Sequence, residues 1–119
     1  MSVRLLVCGG RKYSNWDFLY RTLTVIHNFT PVSVLINGGA TGADNLGAWW
    51  AYYNNVPILT FKAKWDEHGR GAGHIRNTQM IKEGMPTKVA AFQGGKGTEN
   101  MIKQSFKHGI SVTDYRHVL

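Results

Sequence analysis

An α/β fold built on a five-stranded parallel sheet is what this sequence predicts. Short apolar runs alternate with helix-periodic segments along the whole chain, three of those runs end in a glycine pair, and no run approaches the roughly 20 apolar residues of a membrane helix. The 119 residues make one ordinary domain spanning 1–119, and a composition that is 43% hydrophobic and 12% aromatic can bury a real core.

The first run, VRLLVC over 3–8, reads as a buried strand and stops at Gly9-Gly10. Ser14, three residues before Asp17, resembles the start of a capping box; Trp16, Leu19, Leu23 and Ile26 then mark an amphipathic helix to about residue 28. VSVLI over 32–36 is a second strand, ending at Gly38-Gly39. Thr41 and Asp44 are candidate caps for a helix over 43–54. PILTF over 57–61 is a third strand, followed by a long loop over 62–73. Ile75, Met80 and Ile81 mark a helix that stops at Gly84, just before Pro86. TKVAAF over 87–92 is a fourth strand, ending at Gly94-Gly95. Met101, Ile102 and Phe106 mark a last helix stopped by Gly109, and 110–113 is a fifth strand. Strands alternating with helices place helices on both faces of a parallel sheet. The expected strand order is 3-2-1-4-5, a Rossmann-like arrangement whose loops gather a ligand where the order reverses, between the first and fourth strands.

Three glycine-rich turns carry the functional signal. They are Gly9-Gly10-Arg11, Gly38-Gly39-Ala40-Thr41-Gly42-Ala43-Asp44, and Gly94-Gly95-Lys96-Gly97-Thr98. Each follows a strand, and the last two run straight into a helix. Glycine lets a phosphate approach the backbone, and a helix N-terminus offers free N–H groups and the positive end of its dipole. None of the three is a Walker loop, because the Gly-Lys-Ser/Thr ending is missing. Arg11, Lys12, Lys62, Lys64, Arg70, Arg76 and Lys96 fall in or beside the same loops, and the formal net charge is +7, so an anionic partner is expected. Lys62 and Lys64 read as solvated loop residues. Arg76, early in an apolar helix, offers a fork of donors suited to phosphate. Asp44 caps its helix or meets the ligand; Glu99, near a helix N-terminus, suits an acceptor for ribose hydroxyls. His68 and His74 lack a third ligand, so no metal site is expected, and nothing calls for a cofactor. Cys8 is the single cysteine, which rules out an intrachain disulfide. With no small-residue cleavage site after the first apolar run, this favours a cytoplasmic protein.

The motifs resemble a known family in order along nearly the whole chain. Cys8-Gly9-Gly10-Arg11 with Trp16-Asp17, the run from Asn37 to Asp44, Lys64-Trp65-Asp66, GRGAGHIRN over 69–77 with Met80, and Gly94 to Thr98 are similar to the YspA-type subgroup of the SLOG superfamily. That superfamily includes the LOG phosphoribohydrolases, the DNA-processing protein DprA and sensor domains of nucleotide-based defence systems. The resemblance implies a Rossmann-like fold and a nucleotide-type ligand, with Arg76 and Asn77 in the binding set. It also shows departures. Where LOG enzymes carry a glutamate three residues past the Gly-Thr pair, this chain has Met101, and Glu99 stands two residues early. Gln93 replaces a proline, Asn37 a histidine and His74 a proline of the LOG pattern.

The leading expectation is therefore a module that senses, sequesters or processes a nucleotide or nucleotide derivative. An N-glycosidic hydrolase using Arg76 and Glu99 is the first alternative, and a single-stranded nucleic-acid module the second. Trp49, Tyr52 and Tyr53 lie off the stripe Ala43, Leu46, Gly47, Trp50 and Ala51, so helix 43–54 is expected to pair with a second copy in a homo-oligomer.

Overall fold

The computed structural model describes residues 2–118. Five parallel strands lie in the order β3-β2-β1-β4-β5, as the alternation of periods predicted. The strands are β1 (Val3–Cys8), β2 (Val32–Asn37), β3 (Ile58–Thr60), β4 (Lys88–Ala91) and β5 (Ser111–Asp114). The helices are α1 (Trp16–Phe29), α2 (Ala43–Tyr53), α3 (Trp65–His68), α4 (Ala72–Gly84) and α5 (Lys96–Lys107), with a 3-10 turn at Gly69–Gly71.

The central strand shows why the sequence folds this way. A strand covered on both faces must be apolar at every position rather than at alternate ones. In β1, Leu5, Leu6 and Val7 are fully buried. Successive side chains leave opposite faces of the sheet. Leu5 and Val7 join Leu19 and Leu23 of α1 and Trp50 of α2 in one core. Leu6 and Cys8 join Met80 and Ile81 of α4 and Met101 and Ile102 of α5 in the other. The two layers of helices are thus sorted by a one-residue alternation in six residues of sequence.

Several local expectations are corrected. Helix α1 is capped not by Ser14 but by Asn15, whose side chain accepts a hydrogen bond from the Phe18 amide. The loop over 62–73 is not structureless: it holds α3, the 3-10 turn and the first residues of α4. Helix α4 ends at Gly84 as read, but the left-handed residue that turns the chain is Met85, at φ +50°. Gly84 serves packing instead, since a Cβ there would meet Ile36 at 3.3 Å. The Arg4 guanidinium donates to the Gly84 and Met85 carbonyls and so satisfies the end of this helix. Among the described residues, no helix is long and apolar enough to cross a membrane.

Candidate functional site

The carboxyl ends of β1, β2 and β4 open onto one cleft, at the point where the chain runs to opposite sides of β1. The cleft measures about 700 Å³, a size suited to a small ligand. Its floor is Cys8, Gly9 and Gly10. Gly94 to Thr98 form one wall, and Arg76, Asn77 and Met80 of α4 another. Five cations line it (Arg11, Lys12, Arg70, Arg76 and Lys96) against one carboxylate, Asp44, among the described residues.

The three glycine-rich turns do different work. In the first, the glycines allow close packing: a Cβ at Gly9 would lie 2.5 Å from the Ala43 Cβ, and one at Gly10 3.1 Å from the Gln93 carbonyl oxygen. The Gly10 amide donates to that Gln93 oxygen at 2.8 Å, and the Gly10 carbonyl accepts from the Tyr13 and Ala43 amides. The second turn is stitched onto the first. Thr41 donates its hydroxyl hydrogen bond to the Arg11 carbonyl at 3.2 Å, and a Cβ at Gly42 (φ +75°) would overlap the Gly10 carbonyl. Two of its amides are already taken, because Asp44 Oδ2 accepts from Gly38 at 2.9 Å and from Ala40 at 3.3 Å. Asp44 therefore does not cap α2, whose N-cap is Gly42 with no side-chain hydrogen bond; nor does Thr41.

The third turn is the open one. No heavy atom comes within 4 Å of where a Cβ would stand on Gly95 or Gly97. Gly95 is the N-cap of α5 and no side chain caps the helix among the described residues, so the amides of its first turn have no partner within the helix. Thr98 is 4% exposed yet lines the cleft, with its hydroxyl packed against Gly94. An open glycine-rich turn at an uncapped helix start is a geometry able to receive an anion.

A polar cluster backs the cradle. Arg76 Nη1 donates to the Gly38 carbonyl at 2.8 Å and Nε to Asn77 Oδ1 at 3.1 Å. Asn77, 3% exposed, donates through Nδ2 to the Gly97 carbonyl and to Asn100 Oδ1, each at 3.1 Å. Asn77 thereby ties Arg76 to the start of α5. Burial lowers the Arg76 pKa; the charge of Asp44 opposes that and the charge of Arg11 adds to it. Burial raises the Asp44 carboxyl, while the Ala40 and Gly38 amides and Arg76 pull it back down. The two guanidinium groups and the buried Asp44 carboxylate thus line the same cleft.

Arg11 makes no ion pair or side-chain hydrogen bond among the described residues; its guanidinium sits 5.4 Å from the centre of the Trp65 ring. Arg11, Ala40, Trp65 and Arg76 also border a second hollow of about 620 Å³ with Gly38, Gly39, Thr41 and Lys62. Lys62, read as a solvated loop residue, is exposed but belongs to this rim. Glu99 is not brought to the cleft: it is exposed and pairs with Lys103 one turn along α5 at 3.2 Å. The sequence reading missed Tyr13 and Trp65 as lining residues. For Trp65 a signal existed, a large aromatic beside two lysines in a loop.

Fold and site together define a doubly wound α/β domain with a cation-lined cleft at its topological switch point. The model of the YspA, cpYpsA-related SLOG family matches residues 3–68, and the chain belongs to that family. It is 32% identical over 123 residues to the Gene 61 protein of Mycobacterium phage D29, covering 94% of this chain and 95% of that protein. Among solved structures it is similar to DNA processing protein A (DprA) from Streptococcus pneumoniae, with a TM-score of 0.73 and 16% identity over 92% of this chain. The chain spans about half that protein, covering 49% of its chain.

Proposed function

We propose that this protein binds a nucleotide or nucleotide-derived ligand through its phosphate, as a sensing, sequestering or processing module. The observation that carries the reading is the contrast between the three turns: of these, the one holding Gly95 and Gly97 leaves its backbone open, at the uncapped start of a helix, in a cleft also lined by Arg11 and Arg76. Family membership supports the same ligand class. Cleavage of an N-glycosidic bond would require a carboxylate beside the sugar, and Glu99 lies outside the cleft while Asp44 is committed to two amides. Binding is therefore the preferred reading. The test is calorimetry with nucleoside mono-, di- and triphosphates. Gly95→Val fills the space a phosphate would enter and abolishes binding with the fold intact. Unchanged affinity in a folded Gly95→Val protein would exclude the cradle.

The exposed face of α2 supports a second copy as partner. Trp49, Tyr52 and Tyr53 are 49%, 68% and 59% exposed and touch one another, with ring centres 5.7 to 6.0 Å apart. With Trp16, Tyr20 and Leu46, Trp49 and Tyr53 frame an apolar hollow of about 500 Å³. Paired helices would bury these rings. Light scattering should give more than the 13.3 kDa of one chain, and Trp49→Glu with Tyr53→Glu should return the mass to that value.

A further inference from the structure

Trp65 is out of place as a structural residue. It opens α3, a four-residue helix with no buried side chain, and it is 47% exposed. It belongs to neither apolar core. Its ring edge rests near Gly73, where a Cβ would come 3.6 Å from Cη2. Trp65 borders both the 700 Å³ cleft and the 620 Å³ hollow, so it forms part of the wall between them. Among the described residues the guanidinium above it has no hydrogen-bond or ion-pair partner. A large, half-open ring at the rim of an anion cradle, held under a planar cation, is a surface for another flat group.

We infer that Trp65, with Arg11 over it, is the stacking platform for the aromatic base of the ligand, so the site selects a nucleotide with its base attached over a bare sugar phosphate. The inference rests on the phosphate reading above. The phosphate lies on the open turn before α5, and the base reaches across the same cleft to the Trp65 ring. Because every base has a π-face, the platform sets the ligand class and not the base.

Two probes separate the contributions: the tightest binder of the four common nucleoside 5′-monophosphates, and ribose 5-phosphate. Each is titrated calorimetrically into wild type, Trp65→Ala and Trp65→Phe, with thermal unfolding as the check on folding. Trp65→Ala is expected to weaken the monophosphate by on the order of tenfold, the loss of one base–aromatic stack, and to leave ribose 5-phosphate within about twofold. Trp65→Phe should restore most of the difference. If both probes weaken together, Trp65 only holds its loop in place and the stacking role is wrong. An unaltered monophosphate affinity in Trp65→Ala, with ribose 5-phosphate still bound, also overturns the stack and leaves the phosphate cradle standing. Should wild type bind neither probe, the phosphate reading fails and the stack falls with it.

Discussion

The turn from β2 into α2 and the turn from β4 into α5 look alike in sequence: a glycine pair at the end of a buried strand, then a further glycine and a threonine before or within the first helical turn. Their structures are opposites. In the first, Asp44 folds back and its carboxylate takes the Gly38 and Ala40 amides, so the protein supplies its own anion. In the second, no side chain turns back, and Gly95 and Gly97 border empty space. A glycine-rich turn before a helix has an anion-binding geometry in both places, and the proposed function assigns the ligand to the one lacking an internal carboxylate.

Substitutions at matching glycines should break the two turns in different ways. The largest effect is expected from Gly42→Ala. The residue has φ +75° and ψ −129°, which side chains rarely tolerate, and its new Cβ would strike the Gly10 carbonyl. A loss of about 3 kcal/mol or more in urea unfolding is expected. Gly97→Ala should do the reverse: the fold gains up to about 1 kcal/mol of helix stability, while nucleotide affinity drops by about tenfold or more as the methyl enters the cradle. Calorimetry alongside urea unfolding reads both; a Gly97→Ala protein that binds as well as wild type would place the phosphate elsewhere.

Asp44→Asn sharpens the comparison through pH. Burial holds the folded carboxyl above its ordinary pKa, so the folded state keeps its proton more tightly than the unfolded chain. The stability linked to that proton is complete below the unfolded pKa and is lost as pH rises through the folded one. Relative to Asp44→Asn, wild type should therefore lose stability as pH climbs from the ordinary carboxylate range toward neutrality, measured by urea unfolding at several pH values. Asp114 should behave oppositely, since its hydrogen bonds from Arg116 hold its carboxyl below the ordinary value. The smallest effect belongs to Glu99→Gln: its exposed pair with Lys103 is worth at most about 0.5 kcal/mol, and ligand affinity should not change. A large loss of affinity there would restore Glu99 to the site.

What the sequence made legible follows from periodicity. The strands and their order could be read because β1, β2 and β4 are apolar runs closed by glycine pairs, a signal set by burial along the chain. The cleft could be read because topology alone brings those pairs to one edge. What could not be read depends on which way a side chain turns once the chain has folded. Asp44 and Glu99 both stand in the first turn of a helix, yet one folds inward onto amides 4 to 6 residues back and the other pairs outward with Lys103. Trp65 gave no periodic signal because it packs into neither core.

The segment over 62–71 contributes a wall to the cleft but contains no buried residue. The opposite wall and floor are continuous with the central strands, where a change in volume disturbs the core. The two walls of the cleft therefore answer differently to substitution. A change in the strand-end turns is felt by the core, whereas a change in the exposed strap is not. On the proposed function, substitutions in the strap, at Trp65 first of all, should alter ligand preference at little cost to the stability of the fold.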